Sequence, residues 1–175
     1  MLRIVLVSGI AVLAAARAWA VDVTPSGFLV RYELPIGAPP PKVFDALLNV
    51  GSWWSEKHTY SGDSRNLSIE ARAGGCFCEK LSAGAVEHMR VVYLKANEAL
   101  RLSGALGPLQ AAGVAGTMTW RLSGAGSGTK LELNYSVGGY MPGGFEAMAP
   151  AVESVLKEQA DRLKRYVETG APGPR

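Results

Sequence analysis

Glu79 and His88 are the two side chains whose chemistry stands out in this sequence. Both lie in the stretch GGCFCEKLSAGAVEHMR, which alternates as a β-hairpin does. If Ala83 and Gly84 form its two-residue turn, Glu79 lies directly opposite His88. A carboxylate beside an imidazole can orient a ligand carbonyl or hydroxyl, or move a proton. The alternative interpretation is a cross-strand pair on a solvent-exposed face of a sheet.

The same register places two further side chains on the face of that pair. Phe77 lies opposite Arg90, so both are predicted to face the cavity that the pair would face. A slip of one residue would turn the strands over and bring Cys78 and Met89 inside instead. The register of this hairpin therefore decides which groups a ligand would meet.

Cys76 and Cys78 are the only cysteines of the chain. Side chains two apart on a strand leave the same face. Three states remain open: two thiols packed as small apolar groups, a disulfide, and thiolates that bind a metal together with His58. Two cysteines without a nearby HxxxH motif are a weak metal signal. We therefore predict no metal site and no cofactor.

Aromatic and amide side chains supply the remaining predicted ligand contacts. Adjacent Trp53 and Trp54 cannot both face inward in regular structure, so one is expected to fill the cavity and the other to lie at its mouth. The alternative interpretation of these residues is core filling. Further contacts are predicted at apolar or loop positions: His58, Trp120, Tyr135, Phe145 and Gln159.

Alternating strands are predicted to carry most of these residues. Apolar and polar positions alternate over residues 28–34, 67–72, 114–122 and 130–137, and residues 124–128 join the last two segments as a hairpin loop. One buried and one solvent-exposed face is typical of an antiparallel sheet that is covered on one side.

Two helices are predicted to cover that sheet. A short helix follows Pro39–Pro41, since proline suits a helix start. A long amphipathic helix runs from about Glu146 to Thr169, and Gly170 ends it. We expect an α+β fold, in which a curved antiparallel sheet of about seven strands wraps around the C-terminal helix, with short helices after the first strand.

Residues 1–20 resemble a secretory signal. They have a basic start, a short apolar run and the sequence Ala18-Trp19-Ala20, which suits cleavage after Ala20. The apolar run is shorter than the roughly 20 residues of a membrane-spanning helix. The predicted organisation is a signal peptide at 1–20, one domain at 21–170 and a disordered tail at 171–175, with the mature protein periplasmic or secreted and without a stable membrane anchor.

Several stretches of this chain resemble the SRPBCC superfamily, which includes the START and birch-pollen-allergen-like helix-grip domains. They are PPPKVFDALLNVGSWW, ARAGGCFCE, GTMTWRL, GTKLELNYSV and EQADRLKRYVE, within about residues 26–169. The nearest branch contains activators of heat-shock-protein ATPases and polyketide cyclase-like proteins. The resemblance implies a helix-grip fold with an apolar ligand between helix and sheet, and no defined catalytic set. Export would argue against the cytosolic co-chaperone role.

The composition limits the partners. With 18 basic against 15 acidic residues, the net charge of +3 is too small for the basic field of a nucleic-acid binder. The resemblance implies that the protein binds a small apolar or amphipathic molecule, a lipid or an aromatic metabolite, and the signal-like residues 1–20 lead us to expect that it is exported. Two alternatives remain: a cyclase or dehydratase-type enzyme that uses Glu79 and His88 as an acid–base pair, and a ligand-free interaction module whose interior is filled by Trp53, Trp120 and Tyr135.

Overall fold

The computed structural model describes residues 19–174, and the predicted signal sequence lies almost entirely outside them. Within this range eight strands form one sheet: β1 (Trp19–Thr24), β2 (Gly27–Ile36), β3 (Leu67–Ile69), β4 (Cys76–Leu81), β5 (Gly84–Lys95), β6 (Ala99–Ser103), β7 (Gly113–Ala125) and β8 (Gly128–Tyr140). The helices are α1 (Pro40–Leu48) and α2 (Met148–Thr169), and short 3₁₀ turns occupy Val50–Ser52, Glu56–His58, Ser64–Asn66 and Gly107–Ala111.

Every neighbouring pair of strands in the sheet is antiparallel. The order is β1-β2-β8-β7-β6-β5-β4-β3, so β1 and β3 form the two edges and the sheet does not close. The predicted α+β helix-grip fold is confirmed, with eight strands in residues 19–174 rather than about seven. The extra strand is β1, whose first residue, Trp19, precedes the predicted cleavage site after Ala20.

Strand alternation builds the inner face of the sheet. Phe28, Val30, Tyr32 and Leu34 of β2 are all buried, and alternate residues of β7 and β8 continue the same apolar face. Outward positions between them are half-buried or exposed. The pattern follows because successive strand side chains point to opposite faces, and only one face is covered.

Helix α2 supplies that cover. It begins at Met148, close to the predicted start, and its buried residues recur at helical spacing. It ends where Gly170 takes a left-handed conformation with φ of 81°, which glycine adopts without a Cβ clash. The Tyr32 hydroxyl donates to Asp161 at 2.7 Å and thereby ties β2 to the helix.

Residues 171–174 follow α2 without forming helix or strand. Two of their backbone carbonyls nevertheless accept hydrogen bonds from α2, since Arg162 donates to Pro174 at 2.7 Å and Arg165 donates to Pro172 at 3.0 Å. The segment thus folds back along the helix that precedes it. No helix within residues 19–174 is both long and apolar enough to cross a membrane.

Candidate functional site

A cleft of about 520 Å³ opens between the inner face of the sheet and the first half of α2. Trp54, Leu67 and Phe77 line one side. Val152, Val155 and Leu156 of α2 form the other side, and residues 106–108 and 57–60 border the opening. Most of these groups are apolar, so the cleft suits an apolar molecule of modest size.

The β4–β5 hairpin that carries the candidate pair has a different register from the predicted one. Leu81 pairs with Gly84, so residues 82 and 83 form the turn, one position earlier than expected. Glu79 consequently pairs with Val86, and not with His88. The predicted register is wrong because the local sequence allows either pair of small residues to form the turn.

A β-bulge restores the predicted contact in spite of this. Cys78 pairs with Glu87, but the next pair is Phe77 with Met89, which leaves His88 as an extra residue in β5. A bulge changes the alternation on one strand, so His88 and Met89 are both buried on the inner face. His88 Nε2 lies 2.9 Å from Glu79 Oε2.

Glu79 is fully buried and receives several hydrogen bonds. The backbone N–H of Tyr60 donates to Oε2 at 3.1 Å, and the backbone N–H of Ser61 donates to Oε1. Burial alone would raise the pKa of Glu79, but the hydrogen bonds from Ser61, Tyr60 and His88 outweigh it and lower that pKa. The carboxyl group is therefore ionised at neutral pH.

His88 is neutral at neutral pH. Burial lowers its pKa below 6.5, and the hydrogen bond and negative charge of Glu79 only partly oppose this effect. Since a carboxylate can only accept, the shared proton lies on Nε2. Nδ1 is then a free acceptor, because no residue in the described range 19–174 donates to it. The side chain of His88 is 6% exposed and lines the cleft.

The imidazole packs against two aromatic rings. Its centroid lies 5.1 Å from that of Phe77 and 5.9 Å from that of Tyr60. Glu79 fixes its tautomer, and the two rings fix its plane. The arrangement can accept a hydrogen bond from a ligand hydroxyl, or remove a proton from a bound molecule.

A row of aromatic rings connects this site with the core. Trp120 packs on Trp53 at 6.2 Å, Trp53 on Trp54 at 5.6 Å, and Trp54 on Phe77 at 5.7 Å between centroids. Both adjacent tryptophans are buried, because the 3₁₀ turn Val50–Ser52 breaks regular structure before them. Trp53 lies in the core and Trp54 lines the cleft.

A second histidine–carboxylate pair borders the same cleft. His58 Nε2 lies 3.1 Å from Glu158 Oε2, and their side chains are 31% and 40% exposed. Burial alone would raise the pKa of Glu158, but hydrogen bonds from Ser55 and His58 lower it. This pair is accessible to solvent, so it differs from the Glu79–His88 pair mainly in burial.

Gln159 is fully buried on α2, one turn beyond the cleft-lining Leu156. Its Oε1 accepts a hydrogen bond from the backbone N–H of Ser55 at 2.8 Å, which ties the helix to the loop after Trp54. Its Nε2 has no partner among the residues described. The amide therefore positions the loop, and it is not part of the cleft wall.

Several predicted ligand contacts belong to the core instead of the cleft. Trp53, Trp120, Tyr135 and Phe145 are all buried, and none lines the cleft. The Tyr135 hydroxyl accepts a hydrogen bond from Leu106 at 3.0 Å, and burial raises its pKa to about 12. Their apolar positions predicted burial correctly, but burial alone does not distinguish core from cleft.

Arg90 faces away from the cleft, so its predicted inward orientation is wrong. The bulge at His88 reverses the alternation of β5, which turns Arg90 to the exposed outer face. There its guanidinium donates to the Gly74 carbonyl at 2.9 Å and forms an ion pair with Glu87.

The two cysteines also lie on the outer face, joined as a disulfide. Of the three states that the sequence left open, the structure has this one, and neither sulfur is a free thiolate ligand. Within the described residues, no cluster of three or more metal-binding side chains occurs. His58 lines the cleft, where it is paired with Glu158, whereas the cysteines lie on the outer face of the sheet.

Loop residues of the site were missed by the sequence analysis. Tyr60 and Ser61 provide the backbone donors for Glu79, and Tyr60 also covers His88. Backbone donors leave no residue-type signal, so no pattern could reveal them. Val152 and Val155 were recognised only as part of an apolar helix stripe, although they line the cleft.

Solved structures with similar folds include CalU16, DynU16 and an Aha1 dimer. CalU16 from Micromonospora echinospora aligns with a TM-score of 0.58 at 17% identity, covering 89% of this chain and 87% of that one. DynU16, from the dynemicin biosynthetic locus, aligns at 0.60 and 20% identity over 82% and 48%. The Aha1 dimer from Colwellia psychrerythraea aligns at 0.58 and 17% identity over 81% and 97%. At these identities the likeness shows the fold alone.

No curated protein matches this chain in sequence. The sequence model of one family, described as polyketide cyclase/dehydrase and lipid transport, matches residues 28–168. That range contains the whole cleft, the Glu79–His88 pair and nearly all of α2. The resemblance to SRPBCC helix-grip proteins is therefore confirmed, and the chain belongs to the polyketide cyclase/dehydrase and lipid transport family.

Proposed function

We propose that this protein binds a small apolar or amphipathic molecule, such as a lipid or an aromatic metabolite, in the cleft beside α2. The observation that carries the proposal is the cleft itself, which has about 520 Å³ of space and one buried, neutral imidazole among apolar walls. Apolar walls provide affinity, and the buried imidazole of His88 orients the ligand.

His88 gives the ligand one polar requirement. Nδ1 is an acceptor, so it favours a ligand that carries a hydroxyl or another donor at its buried end. An apolar molecule without a donor would leave Nδ1 unpaired as it displaces water from it. The expected ligand is therefore apolar over most of its surface, with a hydroxyl that reaches the imidazole.

A pair of matched probes tests this requirement. We expect 2-naphthol to bind about fivefold tighter than naphthalene, which corresponds to one hydrogen bond of roughly 1 kcal/mol. His88→Phe retains a ring in contact with Phe77 and Tyr60 but removes the acceptor, so it should abolish the preference. Equilibrium dialysis measures both dissociation constants.

The other histidine provides the control. His58→Phe changes a ring at the same cleft without touching the buried acceptor, and should keep the preference for 2-naphthol. Val155→Trp fills the cleft and should abolish binding of both probes. Failure of both probes to bind the native protein, or an unchanged preference in His88→Phe, would contradict the proposal.

A second candidate function is proton transfer of the cyclase or dehydratase type. The buried Glu79–His88 pair favours it, because a carboxylate that fixes the tautomer of an imidazole and stabilises its protonated form is an arrangement suited to a general base. Nδ1 would remove a proton from carbon next to a ligand carbonyl, and Glu79 would stabilise the imidazolium that forms.

Deuterium exchange into 2-tetralone tests this candidate without a known substrate. Nuclear magnetic resonance in D₂O would follow loss of the proton next to the carbonyl. If the pair is catalytic, His88→Phe should lower the protein-catalysed rate by about a hundredfold or more, whereas His58→Phe leaves it unchanged. If native protein binds 2-naphthol but does not raise the deuterium exchange rate above that of buffer, ligand binding without catalysis is the function.

We propose in addition that the protein is exported. The signal-like residues 1–20 support this, and so does the Cys76–Cys78 disulfide, since disulfides persist in oxidising compartments. Mass spectrometry of the full chain expressed in a bacterial host should find a mature protein that begins at Val21. An intact N-terminus in the cytoplasmic fraction would contradict export.

A further inference from the structure

The Cys76–Cys78 disulfide lies on the outer face of β4, away from the cleft. Both cysteines are half-buried, so part of each residue reaches solvent on the uncovered face of the sheet. Phe77 between them points inward and is buried. A reagent in solution can therefore approach the disulfide without opening the core.

This disulfide adds little to the stability of the fold. It links residues with a sequence separation of 2, and so short a loop restricts the unfolded chain only slightly. The backbone of β4 is already paired with β3 on one side and with β5 on the other. The strand thus retains its ladder hydrogen bonds when the sulfurs are reduced.

The two sulfurs have neighbours of opposite charge. Cys76 pairs with Arg90 across the β4–β5 ladder, and Cys78 pairs with Glu87. Directly paired residues share a face of the sheet, so Arg90 is the cross-strand neighbour of Cys76 and Glu87 that of Cys78, and the two charged side chains also form an ion pair with each other. A nearby cation favours a thiolate and a nearby anion disfavours it.

From this geometry we propose that Cys76–Cys78 is a reversible thiol–disulfide exchange site, whose substrates are external thiols and disulfides. A thiolate of an external dithiol attacks Sγ of Cys78, the Cys76–Cys78 bond breaks, and Cys76 leaves as a thiolate beside Arg90. The second thiolate of the reagent then attacks the reagent sulfur that is bonded to Cys78, and Cys78 leaves as a thiolate. The reagent is oxidised by two electrons, and the cysteine pair is reduced to a dithiol.

Reduction of the native protein tests whether the site is open to exchange. Oxidised full-length protein is treated with dithiothreitol at neutral pH, and thiols are alkylated and counted by mass spectrometry. We expect reduction within about tenfold of the rate for the urea-unfolded chain, because the disulfide is accessible in the fold. Resistance of the native protein until it unfolds would overturn the proposal.

Thermal unfolding distinguishes an exchange site from a structural crosslink. For a loop this short, reduction should lower the Tm by no more than about 6 °C. A larger loss would mean that the disulfide holds the fold together, and would overturn the proposal. Isolation of protein with two free thiols from an oxidising compartment would do the same.

Single-cysteine variants test the predicted polarity. Cys78→Ser leaves Cys76 alone, and Cys76→Ser leaves Cys78 alone. Both are reacted with 4,4′-dithiodipyridine, a neutral disulfide on which surface charges exert no steering. Cys76 should react about threefold faster at neutral pH, because its cross-strand neighbour is a cation, which favours the thiolate.

Arg90→Met in the Cys78→Ser background is the matched control. It should remove the advantage of Cys76, while an Arg101→Met variant on a different pair of strands leaves it unchanged. Equal rates for the two single cysteines, or a faster Cys78, would overturn the assigned roles of Arg90 and Glu87.

Discussion

Replacing Glu79 by glutamine should destabilise the protein without removing any bulk. The side chain accepts from three donors: the backbone N–H groups of Tyr60 and Ser61, and His88 Nε2. Glutamine has one oxygen where glutamate has two. Either the Ser61 N–H or the Tyr60 N–H must therefore face an NH₂ group, whichever way the amide is turned.

The magnitude follows from that geometry. One buried donor left without an acceptor costs about 1–3 kcal/mol. The bonds that remain lose their charge assistance, which makes them weaker than those of the carboxylate. We expect Glu79→Gln to lower the free energy of unfolding by about 3 kcal/mol, equivalent to a fall in Tm of about 6–12 °C for a chain of this size.

Urea unfolding followed by circular dichroism measures this change. Glu158→Gln is the matched control, since Glu158 also bonds a histidine but is 40% exposed. Exposed pairs contribute less than about 1 kcal/mol, so the control should lose little. An unchanged slope of free energy against urea would show that both variants unfold from a native state of the same compactness.

The reasoning would be refuted if Glu79→Gln were as stable as Glu158→Gln. That result would mean that the buried carboxylate contributes no more than an exposed one. A second readout is the fall in the free energy of unfolding at acid pH. A group whose pKa is lowered by folding stabilises fully above its unfolded value and loses this contribution as the pH falls, so Glu79→Gln should flatten the loss below about pH 4.5.

Three further outcomes are expected. Because folding lowers the pKa of His88, the free energy of unfolding of the native protein should fall as the pH drops below about 6.5. In urea titrations His88→Phe should remove this pH dependence. A pH dependence that persists in the variant contradicts the assignment. Arg162→Met leaves the Trp53 carbonyl without its donor at 2.8 Å and should lower the free energy of unfolding by about 2 kcal/mol, whereas exposed Arg165→Met should change it little; equal losses would be evidence against this role. Thr129→Val removes a buried hydroxyl that donates to a carbonyl at 2.7 Å and should cost about 1 kcal/mol by the same assay, and a neutral result would show that the carbonyl finds another donor.

The fold could be predicted because its signals are periodic. β7 and β8 alternate over long stretches, and the stripe of α2 ends at a glycine that takes a positive φ. β1 could not be recognised in the same way. It has only 6 residues, and Trp19 and Ala20 also fit the end of a secretory signal. A short edge strand gives too few alternations to stand out from its surroundings.

The site could be predicted only in part, because a bulge interrupts the alternation. The contact of Glu79 with His88 was expected, yet through a register that the structure does not have. The two-residue alternation of a strand does not reveal where an extra residue lies, so Arg90 was predicted to face inward and Met89 outward. The roles of Tyr60 and Ser61 depend on their backbone N–H groups, which every residue except proline carries.

The bulge in β5 also has an evolutionary consequence. Val86 and His88 face inward before it, and Met89 and Val91 face inward after it, so the inward–outward alternation of the strand shifts by one residue at His88. Loss of His88 by a single-codon deletion would restore plain alternation from Val86 to Val91 and keep the apolar residues on both sides where they are. Insertion of one codon would do the reverse. A lineage with this fold can thus acquire or discard the imidazole without rebuilding the rest of the sheet.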